Sequence, residues 1–493
     1  MPTKTLKILF LASEVVPFAK SGGLADVAGS LPIALKKLGV DVRLVIPYYQ
    51  AIKKKNIDTR LIIKGLEIPV ETGKLKADIH KTALGKNIPV YLVEREDLYN
   101  RPNLYGIAGD DYYDNIERFS FFSRAALITA QRLKFKPDII HCHDWQTGLV
   151  PALLKGPYLN VDHFLSASSV FTIHNLGYQG IFPANKMPVT GLPLDKFFHP
   201  EGLEYWGNIS LLKSGIVFSD SITTVSPSYA KEILTPEYGM GMEGILKRRH
   251  EFMHGILNGV DYNSWNPAKD THITCKYSPG KMAGKRRCKE ELIKEMSLDP
   301  ALNNRPLIGI ISRLATQKGL DILIKIFKDI FKLDVGLVIL GEGDSNLEKR
   351  IKVAAEKNKG KMGVFFGLNE SLSHRIIAGT DMFLIPSRYE PCGLTQMYAL
   401  KYGSVPIVRA IGGLNDTIVQ FDKKTGKGNG FKFYNYDAKA LLISIKEAVS
   451  MYDNSKIWNK LRLEGMKCDF SWNRSAEAYM KVYESVLKKP KVV

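Results

Sequence analysis

The sequence predicts an α/β protein of two doubly wound domains. Short apolar runs of strand length alternate with segments of helical period along nearly the whole chain. These runs form two series, each long enough for a doubly wound domain, separated by the turn-rich, aperiodic stretch Asn258–Pro267. At 493 residues the chain also exceeds what one hydrophobic core usually supports.

The first series reads as strands at Lys7–Leu11, Asp41–Pro47, Asp138–Cys142, Ser169–Ile173 and Ser221–Val225, with His254–Asn258 closing it. Between the first two, Leu24–Leu38 has apolar residues at helical spacing and is ended by Gly39. The second series reads as strands at Leu307–Ile311, Gly336–Leu340, Gly363–Phe366, Met382–Ile385 and Val405–Val408. A helix over Ala476–Leu487 and a basic tail follow. The domains are therefore drawn as residues 1–258, a Rossmann-like domain; 259–471, a second one; and 472–493, the helix and tail. In such open sheets ligands bind at the carboxyl ends of the strands. No short-period repeat or low-complexity segment interrupts the pattern.

Composition narrows the partners. With 45% hydrophobic and 24% charged residues the chain reads as a soluble globular protein, and no apolar run reaches the length of a membrane span. The apolar start Leu6–Ala12 is followed at once by Glu14, without a convincing cleavage site or a Ser/Arg-rich transit segment, so it reads as a buried first strand. Cys142, Cys275, Cys288, Cys392 and Cys468 are scattered and form no CxxC pair, which points to a reducing, cytoplasmic compartment. The net charge of +19 raises nucleic acid as a partner. Yet the clusters Lys53–Lys55, Lys247–Arg249, Lys285–Lys289, Lys423–Lys427 and Lys488–Lys491 are dispersed and not interleaved with aromatics. They read as a solvated basic surface that steers an anionic substrate, with no nucleic acid and no membrane as partner.

Six strand ends carry residues of chemical interest. After the first strand, Glu14–Asp26 contains Lys20-Ser21-Gly22-Gly23, whose paired glycines let backbone N–H groups approach an anionic or hydroxylated ligand at a helix start. The spacing is not GxGxxG, so no dinucleotide fingerprint is present, and a tight βα turn with a solvated Lys20 accounts for the same residues. His141-Cys142-His143-Asp144-Trp145 and His174-Asn175-Leu176-Gly177-Tyr178 stand at two further strand ends, where a sugar pocket is built from carboxylate, amide and imidazole groups. A two-histidine metal site at His141 and His143 requires the strand to run past Cys142. No third ligand stands at a recognisable spacing, and the strand is expected to end between the two. In the second series, Arg313 and Lys318 share one strand–helix turn, a pair suited to a diphosphate; two surface cations flanking a helix start is the competing reading. Leu340-Gly341-Glu342-Gly343-Asp344 is a further glycine turn. Pro386–Thr395 places Glu390 before a Pro391-Cys392-Gly393 turn that leads into the helix Gln396–Tyr402, which suits a charged leaving group.

Together these segments resemble the glycogen and starch synthases of the bacterial and plant type. The resemblance runs in order through Lys20-Ser21-Gly22-Gly23-Leu24-Ala25-Asp26, His143-Asp144-Trp145-Gln146, His174–Gly180 and Asn258-Gly259-Val260-Asp261. It continues through Ser312-Arg313-Leu314, Gln317-Lys318-Gly319, Glu390–Gln396 and Gly412-Gly413-Leu414. It implies the GT-B architecture, two Rossmann-like domains facing each other across a deep cleft, and a retaining transfer of glucose from ADP-glucose to the non-reducing end of an α-1,4-glucan. Arg313 and Lys318 are then expected on the diphosphate, His174 and Glu390 on the transferred glucose, and Asp144, Asn175 and Asn258 around its pocket. Lys20, Gly23 and Asp26 reach the donor from the opposite domain, and Cys392, Gly393, Leu394 and Thr395 complete its site. No Asp-x-Asp motif stands at a strand end, and the Arg/Lys pair can replace a divalent ion, so no metal and no cofactor are expected. Leu368 stands where bacterial relatives often carry an aromatic against the adenine, which makes UDP-glucose the alternative donor. A homo-oligomer is left open.

Other classes fit less well. A glucan hydrolase needs two carboxylates in one site, for which Asp144 with Glu390 is the pair weighed, and has no use for paired diphosphate-binding cations. A non-catalytic glucan-binding protein is expected to have lost Lys20, His174, Arg313, Lys318 or Glu390, and all are present. No lysine context suggests the pyridoxal phosphate of a phosphorylase.

Overall fold

The computed structural model describes residues 5–107 and 109–488; the basic tail beyond Lys488 lies outside the described residues. The chain forms two compact units, one of residues 1–225, 230–259 and 472–493, the other of residues 226–229 and 260–471. This differs from the sequence reading in two places. The segment Ser226–Tyr229 belongs with the second unit, where Ser226 Oγ donates to Pro391 O at 2.7 Å and Ser228 Oγ to Asp416 Oδ1 at 2.7 Å. The helix that begins at Trp472 is not a separate piece, as described below.

The first unit is built on a nine-stranded sheet. Its strands are β1 (Lys7–Leu11), β2 (Asp41–Pro47), β3 (Arg60–Val70), β4 (Gly73–Leu84), β5 (Ile88–Glu94), β6 (Ile139–His143) and β7 (Ser168–Ile173). A small separate sheet of β8 (Ile181–Pro183), β9 (Glu204–Tyr205) and β10 (Asn208–Ser210) intervenes before β11 (Ser221–Thr224) and β12 (Met253–Gly255) complete the large one. The large sheet runs β12-β11-β7-β6-β1-β2-β5-β4-β3 and is parallel except for the antiparallel pairs of β4 with β3 and β5. The β3–β4 hairpin escaped the sequence reading because its half-exposed strands mix polar with apolar residues and present no apolar run longer than Leu61-Ile62-Ile63. The order of connection reverses between β1 and β6, so the loops after these two strands flank the switch point where ligands bind in such sheets.

Helix α1 (Gly23–Lys37) follows β1 and buries Leu24, Val27, Ala28, Leu31 and Leu35, one stripe at helical spacing. Gly29 lets it close on the preceding loop, since a Cβ there would lie 2.5 Å from Val16 O. The β9–β10 turn consists of Trp206 and Gly207 alone, at φ 52° and 75°. A tight turn with both residues at positive φ favours Asn-Gly; a bulky residue at the first position costs about 1–2 kcal/mol.

The second unit is a six-stranded, all-parallel sheet of β13 (Leu307–Ile311), β14 (Gly336–Gly341), β15 (Met362–Phe366), β16 (Met382–Ile385), β17 (Val405–Arg409) and β18 (Phe431–Phe433). Its order is β15-β14-β13-β16-β17-β18, which is 3-2-1-4-5-6 within the unit. Its apolar core, with Ile308, Ile310, Leu337, Ile339, Leu384 and Ile407, lies against the covering helices. Helix α2 (Ala283–Glu295) corrects one expectation. Lys285 and Lys289, read as part of a solvated cluster, are both buried, being four residues apart and thus on one face. Lys285 Nζ donates to Ala378 O at 3.0 Å and Thr380 O at 2.9 Å, and Lys289 pairs with Asp381 at 2.7 Å. Burial lowers the Lys285 ammonium to about 7.

Helices α3 (Thr395–Lys401) and α4 (Gly412–Thr417) follow β16 and β17. The last helix, α5 (Trp472–Lys488), packs on α1 and so returns to the first unit. It buries Tyr479 and Tyr483 there. Among the described residues no helix is long and apolar enough to cross a membrane.

Candidate active site

At the switch point of the first unit, the loop after β1 folds back over Glu14. Its buried carboxylate accepts from the Ser21 backbone N–H, from Gly22 N at 3.1 Å, from Ser21 Oγ at 3.0 Å and from Tyr105 OH at 3.3 Å. Burial raises its affinity for a proton, against these donors. Glu14 therefore sets the shape of the Lys20–Gly23 turn, a role the sequence reading did not give it. The signal was available in an acidic residue directly after a buried strand; Tyr105, some ninety positions on, had none. Lys20 Nζ pairs with Asp26 Oδ1 at 2.7 Å, so two predicted donor-site residues meet across the first turn of α1.

After β6, Asp144 takes φ 55° and turns its carboxylate back, where Oδ1 accepts from His174 N at 2.7 Å. Burial raises the Asp144 carboxyl to about 7, against hydrogen bonds from the His174 and Asn175 backbones. Contrary to the expectation, β6 runs through His143, and His141 and His143 share a face with ring centroids 4.1 Å apart. Each is used within the protein. His141 bonds Thr172 Oγ1 at 2.7 Å and Tyr483 OH at 2.9 Å, while His143 Nδ1 meets His174 Nε2 at 2.9 Å. Burial holds all three imidazoles below their ordinary range, His174 at about 3, so the rings are neutral and one of His143 and His174 donates its N–H to the other. Among the described residues no group of three or more His, Cys, Asp and Glu could hold a metal ion. Asn175 Oδ1 accepts from Gly177 N at 2.9 Å, shaping the loop beyond His174. Gly180, at φ 56°, lets that loop rest on Trp145, whose ring a Cβ would approach to 2.6 Å. Asn258 is buried in the same unit, and its Oδ1 has no hydrogen-bond partner among the described residues.

In the second unit the switch point lies between β13 and β16, and the two predicted segments follow those two strands. Lys318 Nζ pairs with Glu390 Oε2 at 2.6 Å, and Ser387 Oγ donates to the same oxygen at 3.0 Å. Arg313 Nη2 donates to Gln317 Oε1 at 3.3 Å, and Gln317 Nε2 to Tyr389 O at 3.3 Å, so Gln317 links Arg313 to the residue before Glu390. Arg313 also lines a cavity of about 430 Å³ with Leu314, Thr316 and the Glu342-Gly343-Asp344 turn. Gly367 N donates to Gly341 O at 3.1 Å, which places the exposed Leu368 directly after the residue that braces this turn. The turn at Glu390–Thr395 has Cys392 buried and Gly393 at φ 69°. Behind it stand Gly412 and Gly413, where a Cβ would come within 1.9 Å of Glu390 O and 2.1 Å of Cys392 O. The glycine pair at the start of α4 is thus required by close approach of the Glu390–Cys392 backbone. Ser387 is a site residue the sequence reading passed over, since a serine three positions from a carboxylate carries no distinctive signal.

The chain matches the family model for the starch synthase catalytic domain over residues 7–248 and that for glycosyl transferases group 1 over residues 295–461. It is 44% identical over 482 residues to a glycogen synthase of Anaeromyxobacter sp. (strain Fw109-5), covering 98% of this chain and 99% of that protein. It is 42% identical over 485 residues to a glycogen synthase of Geobacillus stearothermophilus, covering 98% of each. Among solved structures it is similar to the catalytic domain of starch synthase IV from Arabidopsis thaliana bound to ADP and acarbose, with TM-score 0.91, 34% identity and coverage of 98% of this chain and 100% of that one. A sucrose-phosphate synthase from Thermosynechococcus elongatus, at TM-score 0.59 and 16% identity over 98% of this chain and 99% of that one, shares the fold. With this full-length similarity, and two doubly wound units of parallel strands, the chain belongs to the glycogen and starch synthases, glycosyltransferases of the GT-B fold.

Proposed function

We propose that this glycosyltransferase takes ADP-glucose as donor and the non-reducing end of an α-1,4-glucan as acceptor, with retention and without a metal. The observation that carries the reading is the contact of Lys318, Glu390 and Ser387 at the switch point of the second unit, with Arg313 on the same turn. A diphosphate needs cations on its oxygens, and a glucose needs a carboxylate for its hydroxyls. Arg313 and Lys318 take the charge that grows on the leaving phosphate, the role a divalent ion has in other transferases. In the first unit His174 and Glu14 are fixed by buried hydrogen bonds, and Asp144, Asn175 and Asn258 surround the transferred sugar. The acceptor hydroxyl attacks the anomeric carbon from the side the nucleotide leaves, and its proton passes to the departing phosphate oxygen. That the similar Arabidopsis structure is bound to ADP supports adenine as the base. The exposed Leu368 supports UDP-glucose as the second reading, because it offers little ring surface to select a base. The free cysteines suit the cytoplasm.

The test is glucan elongation with ADP-glucose and UDP-glucose side by side, in excess chelator. Preferential turnover of ADP-glucose that survives chelation is expected. A preference for UDP-glucose overturns the donor. Reversible loss on chelation, restored by magnesium or manganese, overturns the charge assignment.

A further inference from the structure

The β9–β10 hairpin of the first unit carries a feature that folding does not require. Its two-residue turn has Trp206 at φ 52°, a backbone position suited to Asn or Gly, and the indole is 81% exposed. A tryptophan at that place is unfavourable to the turn and contributes little to the core, so its exposure there points to a ligand. The hairpin is also held firmly. Gly207 N donates to Glu204 Oε1 at 2.7 Å, and Asn208 Nδ2 to Trp206 O at 3.2 Å.

The hairpin is tied to the loop that leaves His174. Tyr205 OH and Gln179 Nε2 both donate to Met240 O, each at 3.0 Å. Ser210 Oγ donates to Gln179 O at 3.0 Å, and Leu211 N to Gly180 O at 3.0 Å. On that loop Tyr178 is half-exposed. Two aromatic rings are thus displayed on connected, hydrogen-bonded backbone that begins at a residue of the candidate site. The polar groups of Glu204 and Asn208 stand beside the Trp206 turn, and the Tyr205 ring lies edge-on to the indole with centroids 6.4 Å apart.

We propose that Trp206, together with Tyr178, forms a stacking subsite for internal sugars of the acceptor glucan; this rests on the glucan acceptor proposed above. A pyranose ring presents C–H bonds on one face, apolar and weakly positive, which complement the electron-rich face of an aromatic ring. Its edge hydroxyls require hydrogen-bonding neighbours of the kind that Glu204 and Asn208 provide. A rigid ring loses little conformational entropy on binding, which suits a long, flexible chain.

The decisive variant is Trp206→Asn, because Asn-Gly is a preferred sequence for this turn. Thermal stability is expected to hold or rise, so a loss of function cannot come from misfolding. The KM for glycogen is expected to rise about 3–10-fold, the affinity carried by one aromatic contact. The rise should be smaller for maltotriose, and Trp206→Tyr should restore most of the affinity for glycogen. Affinity electrophoresis in glycogen-containing gels should show the same order without turnover. An unchanged KM and mobility overturns the subsite, as does a loss shared equally by kcat and the donor KM. A shift in oligomeric state with glucan affinity intact assigns the tryptophan to a second copy of the chain instead. If the wild-type protein binds glycogen but elongates no glucan, the proposed reaction fails while the subsite stands.

Discussion

Lys318 Nζ lies 2.6 Å from Glu390 Oε2, joining the turn after β13 to the turn after β16 across the switch point of the second unit. Both side chains are largely buried, and Ser387 Oγ completes the carboxylate. The pair holds the ammonium at the place where a phosphate is proposed to sit and orients the carboxylate beside it. Removing either partner leaves the other charge buried and unmatched.

Arg313→Ala and Lys318→Ala are expected to lower turnover at saturating donor by about 10²–10³, the 3–4 kcal/mol carried by a donor to a developing anion. Lys318→Ala should also lower the thermal unfolding temperature, because it uncovers Glu390, whereas Arg313→Ala should not. Near-normal turnover of both would place the diphosphate elsewhere.

Glu390→Gln keeps an acceptor for Lys318 and Ser387 and is expected to retain measurable activity, while Glu390→Ala loses far more. Front-face transfer needs no protein nucleophile, only groups that fix the sugar. A glucosylated peptide containing Glu390, trapped and found by mass spectrometry, would establish double displacement instead.

The raised Asp144 carboxyl makes stability depend on pH in a defined direction. Its proton is bound in the folded protein up to about 7 but lost from the unfolded chain near 4. The contribution is fully present below that lower value and disappears as pH rises through 7, on the order of 4 kcal/mol. Asp144→Asn keeps an oxygen for the His174 N–H and should flatten this slope in unfolding measurements between pH 4 and 7. An identical slope in both proteins would refute the burial effect.

Lys285 gives the opposite sign. Its folded value near 7 lies below the ordinary lysine value of about 10.4, so between those limits the unfolded chain binds the extra proton and stability rises with pH. Lys285→Met should remove that rise, read by denaturant unfolding from pH 7 to 10. A rise that persists in the variant would mean that Lys285 stays charged when buried.

Most of what places the site was legible in the residues themselves. Most parallel strands of both units, and the turns after β1, β6, β13 and β16, follow from apolar runs and glycines whose periods are local properties of the chain, although the parallel strands β5 and β18 were passed over. The β3–β4 hairpin was not legible, because a half-exposed strand needs no continuous apolar run. Nor was the partnership of Lys285 with carbonyl groups more than ninety residues away. Only tertiary structure brought His143 to His174, 31 positions apart, Lys318 to Glu390, 72 apart, and Tyr483 to His141, 342 apart. Residue type and spacing encode which groups stand at a strand end. Which of them meet depends on strand order and on the room that Gly180, Gly412 and Gly413 leave for close approach, and these are properties of the packed chain.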